Sequence, residues 1–220
     1  MVRKLKAFGL TLVAMLALGV VVASAAQANE FKAAEYPATI KGEQKSTHNF
    51  VIGGNRTLTC AGAEFNGTLA GASKELTITP TYSSCHVIIA GSTLDATVTM
   101  EGCDYLFTEP AGGKVHFKCP AGKTVVIHVY NGAGVEHTAG NELCRYTIAE
   151  QSNLGTVTYA NQATTPKTVV QTANVTGVAV KRAFGTLGNC GAESQTAVYT
   201  GETTVKAFNS KDIQINGEVG

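Results

Sequence analysis

The stretch Gly102–Pro120, GCDYLFTEPAGGKVHFKCP, leaves the backbone little choice of partner. Glu109-Pro110-Ala111-Gly112-Gly113 is a turn cluster, because proline presets φ and glycine tolerates positive φ. The β-prone runs Asp104–Thr108 and Lys114–Lys118 flank it. With Thr108 opposite Lys114, Phe107 meets Val115, Leu106 meets His116, Tyr105 meets Phe117 and Asp104 meets Lys118. Strand side chains alternate between faces, so Tyr105, Phe107, Val115, Phe117, Cys103 and Cys119 then share one side. The other side carries Asp104 across from Lys118, an opposite-charge pair. Directly opposed cysteines also bring their β-carbons near disulfide distance. A slip of one residue would mix the faces, so the pattern selects its own register.

The N-terminus reads as an export signal. Arg3, Lys4 and Lys6 form a positive region, Phe8 to Val22 is an apolar run, and Ala26-Gln27-Ala28 is a small-x-small cleavage site before Asn29. Ala23-Ser24-Ala25 is an alternative site. The run is short for a membrane anchor and ends in small residues, so residues 1–28 are expected to be removed. No cysteine precedes Cys60 to accept a lipid, no second run of spanning length follows, and Ile213 to Gly220 shows no anchoring tail. The expected product is a secreted, extracellular chain with no stable membrane anchor.

The full chain carries +1, and loss of Arg3, Lys4 and Lys6 leaves −2. A near-neutral chain with scattered charges has no electrostatic footprint for nucleic acid or an anionic membrane. Absence of tryptophan weakens an aromatic carbohydrate platform. Residues 29–220 suffice for one sizeable β domain, with a weak candidate subdivision at Glu150–Gly155.

All six cysteines, Cys60, Cys85, Cys103, Cys119, Cys144 and Cys190, lie in the exported part. An even count there reads as three disulfides. The hairpin favours Cys103–Cys119, and nearest-neighbour reasoning then pairs Cys60 with Cys85 and Cys144 with Cys190. The equal intervals Cys60 to Cys85 and Cys119 to Cys144 offer a rival that leaves Cys103 with Cys190. Each bridge is worth about 3–4 kcal/mol by loop-closure reasoning.

Alternating runs fill the rest. Ala38–Gln44, Asn49–Ile52 and Thr57–Cys60 precede a turn-rich patch at Asn66-Gly67. Glu75–Tyr82 alternates Leu76, Ile78, Pro80 and Tyr82, which puts Pro80 at an edge or bulge. Lys123–Tyr130 gathers Val125, Ile127 and Val129 on one face, and a Gly-rich loop spans Asn131 to Asn141. Thr168–Phe184 is a long run expected to break at Gly177 into two strands. No segment beyond the signal sustains a helical apolar period. The reading is all-β: an antiparallel β-sandwich-like domain, with two packed sub-sheets as a variant, stapled by up to three disulfides.

Chemistry is harder to find. Extending the meander with Cys119 opposite Val125 sets His116 opposite His128, with Tyr130 on the same face and Glu136 and His137 in the following loop. Two imidazoles plus a loop ligand could hold a zinc-like or copper-like ion, so His116 and His128 are the candidate metal ligands. The competing reading makes both ordinary residues of a half-polar sheet face. His48 and His86 have no partner legible in the sequence. There is no G-x-S-x-G elbow, and Ser73-Lys74 lacks S-x-x-K spacing. Thr57-Leu58-Thr59-Cys60 is one residue short of a sortase-like signature, and an oxidised Cys60 has no thiolate. Glu101 and Asp104 are an acidic pair without an apolar pocket to serve. Asn55, Asn66 and Asn174 head glycosylation-type triplets. The Asn131–Asn141 loop is the candidate recognition surface. No motif asks for a cofactor.

Gly102-Cys103-Asp104-Tyr105-Leu106-Phe107, Phe117-Lys118-Cys119-Pro120-Ala121-Gly122 and Tyr199-Thr200-Gly201-Glu202-Thr203-Thr204-Val205-Lys206 together resemble known stretches. They are similar to the G-C-x-Y-x-F, C-P-x-G and Y-T-G-x-x-T-V-K segments of an uncharacterised group of secreted, cysteine-containing β proteins from actinobacteria. The likeness runs from Ala38 onward. It implies a secreted bacterial β protein and assigns no activity to any residue. The expected function is binding, or a structural part of the cell exterior with a cell-wall or surface component as partner. An extracellular hydrolase of cell-wall polymer or glycan is the first alternative, and a metal-binding protein the second.

Overall fold

The computed structural model describes residues 29–108 and 110–220. The expected signal segment lies outside the described residues. Sixteen strands fill the described chain, beginning with β1 (Phe31–Ala33), β2 (Ala38–Gln44), β3 (Asn49–Ile52), β4 (Arg56–Leu69) and β5 (Glu75–Ile89). Next come β6 (Ser92–Thr99), β7 (Asp104–Thr108), β8 (Lys114–Lys118), β9 (Val125–Tyr130), β10 (Glu142–Ile148) and β11 (Gln151–Leu154). Then follow β12 (Val157–Gln162), β13 (Thr168–Phe184), β14 (Ser194–Phe208), β15 (Gln214–Ile215) and β16 (Gly217–Val219). Every pairing is antiparallel, giving the all-β, sandwich-like body expected.

Four strands are long enough to run through both layers: β4, β5, β13 and β14. Their alternation explains why. In β5, Leu76, Ile78 and Pro80 are buried while Glu75, Thr77, Thr79 and Thr81 are exposed, as a half-solvated sheet requires. At one end the pairing path β14–β3–β4–β5–β6–β9–β10–β13–β14 returns to its start, so that end has no open edge. Ile52, Val87, Ile127, Val129, Tyr146 and Val178 fill it, all fully buried. At the other end β2 and β7 flank the halves of β4 and β5 beyond Cys60 and before Cys85, and β8 and β11 extend the layer. One contiguous apolar core joins the two ends.

The hairpin adopts the register argued from its pattern, Asp104↔Lys118 through Thr108↔Lys114. Phe107, Val115, Phe117 and Cys103 are buried. The charged pair differs in detail. Lys118 Nζ turns to Glu150 Oε1 at 3.1 Å, and Asp104 accepts from Thr79 Oγ1 at 2.6 Å. The three disulfides are Cys60–Cys85, Cys103–Cys119 and Cys144–Cys190. Cys60 and Cys85 stand directly opposite in the β4–β5 register, while Cys144–Cys190 ties β10 to a helical turn at Leu187–Cys190.

Several local expectations fail for tertiary reasons. Asn66-Gly67 is no turn: both lie inside β4, paired with β2 on one side and β5 on the other. Glycine is needed there because a Cβ would meet the Thr77 carbonyl oxygen at 2.5 Å. Gly177, at φ +74°, does not break β13 but sits in a bulge between Val175 and Val178. Pro80 does occupy an edge, since β5 is paired there only with β4, between the segments that meet β7 and β6. The candidate boundary at Glu150–Gly155 contains β11, which pairs with β8.

Candidate functional site: an interior cavity lined by tyrosines and a histidine

The second register assumed from the sequence is not realised. β8 pairs with β7 and β11, and β9 lies between β6 and β10, so His116 never faces His128. The connection after Cys119 leads to a strand beside β6 and β10 instead of turning back onto β8. His116 lies opposite Leu106, with Nε2 3.2 Å from Thr108 Oγ1, and Nδ1 accepts from the Asn153 N–H at 3.4 Å. His128 stands between Thr97 and Arg145, its Nδ1 2.6 Å from Glu142 Oε1.

Of the side chains that the sequence grouped with His128, Tyr130 and His137 come together. Tyr130 stacks on His137 at 4.3 Å between ring centroids, and His137 Nε2 lies 3.7 Å from Asp95 Oδ2. Asp95 also accepts from the Gly134 N–H at 2.7 Å, so the Asn131–Asn141 loop is pinned to β6. Burial pushes the Glu142 carboxyl up, but hydrogen bonds from Arg145 and His128 outweigh it and hold it below the usual carboxylate range. These contacts spend the polar groups on one another. Among the described residues no cluster of three or more histidine, cysteine or acidic side chains is arranged to hold a metal ion.

A different constellation occupies the interior. A cavity of ≈ 70 Å³ lies between the layers, walled by Phe50, Phe65, Phe107, Phe117, Ile127 and Val175 among others. Its polar lining is His48, Tyr82, Tyr105, Gln171, Tyr199 and Thr203, with no carboxylate, lysine or arginine. The register explains the gathering. Tyr105 lies opposite Phe117 and beside Ile78 of β5, Tyr82 follows four residues later in β5, and Tyr199 pairs with Phe50 of β3. All three phenols keep some accessible surface although protein surrounds them, and that surface lines the cavity.

The polar groups form two hydrogen-bonded sets. Tyr105 Oη and Tyr82 Oη are 2.8 Å apart and form the first. Tyr199 Oη is 2.5 Å from His48 Nδ1, and His48 Nε2 donates to the Glu202 carbonyl at 2.9 Å. Burial raises all three phenols, Tyr105 to about 12 and Tyr82 and Tyr199 well above the ordinary phenol range. They are neutral at any physiological pH. Burial lowers His48, the backbone hydrogen bond opposing it only in part. Gly201 makes room for this ring, since a Cβ there would come within 2.3 Å of His48 Cδ2.

The sequence left His48 and Tyr199 apart because 151 residues separate them. The only local signal was the placing of Tyr105 on the inward hairpin face. Glu101 and Asp104, the acidic pair, do not line the cavity.

His48 makes a testable contribution to stability. Its folded pKa lies below the ordinary 6.5, so the unfolded chain binds the proton more readily. The stability it contributes is complete above pH 6.5 and is lost as pH falls toward the folded value. Urea titrations at about pH 8 and about pH 5.5 should show a smaller acid loss in His48→Gln than in the wild type. An identical acid loss would show that other groups carry it.

Comparison with known protein families finds no match, and neither the curated proteins nor the solved structures contain a significant relative of this chain.

Proposed function

We propose that this chain is an exported binding protein whose interior cavity takes a small, largely apolar molecule. The single observation that carries this is an apolar cavity whose wall carries six polar side chains from five segments of the chain, the pattern of a ligand site. Three disulfides fit an oxidising compartment outside the cytoplasm, and no helix among the described residues is long and apolar enough to cross a membrane. The segments resembling secreted actinobacterial β proteins support placing it in that group. A cavity lined by phenols, an amide, a hydroxyl and one neutral imidazole lacks the acid and nucleophile of a glycan hydrolase, which favours binding over the enzymatic alternative.

The test is ligand-induced stabilisation. The cavity has about half the ~150 Å³ that holds a benzene ring, so alcohols, ketones and hydrocarbons of up to about four carbon atoms are titrated while thermal unfolding is followed. A binder at about a hundred times its Kd should add roughly 2.7 kcal/mol. Ala173 lines the cavity, and Ala173→Leu fills part of it. The filled variant should fold and lose the stabilisation. If no compound stabilises the wild type, or the variant responds equally, the cavity is not the site.

A further inference from the structure

Four polar residues from four strands stand side by side. Tyr159 of β12 lies opposite Gln171 of β13, Gln171 opposite Thr203 of β14, and Thr203 opposite Gln44 of β2. Residues directly opposed in a ladder project to the same face, so their side chains form one row. Burying such groups costs free energy unless each finds a hydrogen bond. Tyr159 Oη and Gln44 Oε1, at the two ends of the row, are the two buried side-chain polar atoms without a hydrogen-bond partner among the described residues. Unmatched groups of this kind are rare in folded proteins, and a bound molecule is one of the few things that accounts for them.

The row joins two cavities. A second cavity, of ≈ 40 Å³, lies beside the first: Tyr159 lines the smaller, Thr203 the larger, and Gln171 both. Phe65 and Phe107 also belong to both walls, so the two are neighbours. Buried Phe31 meets the Tyr159 ring edge-on, with centroids 5.3 Å apart. Burial raises the Tyr159 phenol far above its ordinary value, so it stays neutral. The charged residues of the smaller wall have counter-charges of their own. Lys206 Nζ pairs with Glu43 Oε2 at 2.7 Å, Glu218 Oε2 with Lys167 Nζ at 3.0 Å, and Lys32 stands opposite Glu218 in the β1–β16 register. Tyr159 and Gln171 are the neutral hydrogen-bonding side chains there, and each can both donate and accept.

We infer that the two cavities are halves of one site, and that its ligand is a short unbranched molecule ending in a neutral hydroxyl, with its tail in the larger half and its hydroxyl between Tyr159 and Gln171. Room sets the length. A cavity of ~150 Å³ holds the six carbons of benzene, so ≈ 70 Å³ takes about three carbon atoms and ≈ 40 Å³ one or two non-hydrogen atoms. That is the division of 1-butanol. Its hydroxyl donates to one of Tyr159 and Gln171 and accepts from the other, which matches the buried phenol. The passage between the halves runs past Gln171, the flexible side chain of the shared wall. This inference rests on the larger cavity being a ligand site, as proposed above, and adds the shape and the end group of the ligand.

Isomers separate the two ideas. 1-Butanol and 2-methyl-2-propanol share a formula and a hydroxyl and differ in shape, and each is titrated into the intact mature protein by calorimetry. 1-Butanol should bind at least about tenfold more tightly, since the compact isomer cannot reach both halves. Tyr159→Phe removes one hydroxyl and keeps the ring. It should weaken 1-butanol at least about fivefold and leave the branched isomer unchanged. Gln171→Leu is the second variant and should act in the same direction, and thermal unfolding shows whether each is folded. Sodium butanoate should bind more weakly than the alcohol. No binding of 1-butanol, equal affinity for the isomers, an unchanged 1-butanol affinity in Tyr159→Phe, or tighter binding of butanoate overturns the two-part site. The larger cavity then stands as a site by itself if Ala173→Leu abolishes whatever binding the wild type shows. If none of the compounds binds the wild type, both readings fall.

Discussion

Replacing Cys144 and Cys190 together by alanine should cost about 4 kcal/mol and lower the thermal midpoint by roughly 10 °C. This bridge closes the longest disulfide loop, with a sequence separation of 46 against 25 and 16 for the others. Loop-closure entropy grows with length, so the unfolded chain gains most freedom when this link is cut. The native state loses contacts as well. Both cysteines are fully buried, and the Tyr146 hydroxyl donates to the Cys190 carbonyl at 3.1 Å. The helical turn at Leu187–Cys190 is also held by Arg56, which donates through Nε to the Asn189 carbonyl at 2.9 Å, and by Gln195 Nε2, which donates to the Cys190 carbonyl at 3.0 Å. The matching Cys103→Ala, Cys119→Ala variant should lose less, about 3 kcal/mol, because the hairpin register already holds those ends together. Guanidinium titrations of both variants decide the order. A larger loss at the hairpin would show that the long loop is organised without its bridge.

Gly113→Ala should cost at least about 3 kcal/mol, more than any ordinary glycine substitution. At φ +26° the backbone already disfavours a side chain, and a Cβ would fall 1.4 Å from the Val157 carbonyl oxygen. That oxygen cannot yield cheaply. Val157 is fully buried, begins β12 and donates its own N–H to the Gly113 carbonyl at 3.1 Å. The contact docks the β7–β8 hairpin against the start of β12, so an alanine there separates the elements that wall the cavity. Gly122→Ala is the control. It has a positive φ of +73° but no atom within 4 Å of the added Cβ, so it should cost only about 1 kcal/mol from backbone strain. Similar losses for the two variants would mean that the turn, and not the docking contact, is what Gly113 serves.

Much of the architecture was legible wherever contacts are near in sequence and side chains alternate. The β7–β8 register follows from two five-residue runs around a turn. Only one alignment segregates the aromatic residues and cysteines from the charges. Pairing neighbouring cysteines worked for the same reason: β4 and β5 are consecutive antiparallel strands, so Cys60 meets Cys85 directly. The long run Thr168–Phe184 was visible as β-prone, but its single Gly177 bulge was not distinguishable from a break. Asn66-Gly67 misled because an Asn-Gly pair marks a turn in isolation, whereas here glycine serves the close approach of a neighbouring strand.

By itself the amino-acid order determined the all-β class and the hairpin and favoured its Cys103–Cys119 bridge, since each depends on periodicity of two and on chain ends already close together; between nearest-neighbour pairing of the other cysteines and the rival, only the tertiary structure decided. The neighbour of β9 was settled only in three dimensions. Its apolar residues are buried whichever strand lies beside them, so the pattern cannot tell β8 from β6. The same holds for the cavity. Tyr105, Tyr82, Tyr199 and His48 meet because β14 folds back across β3. Hydrogen-bond partners so far apart along the chain leave no periodic trace, and only closure of the sheet brings them within reach.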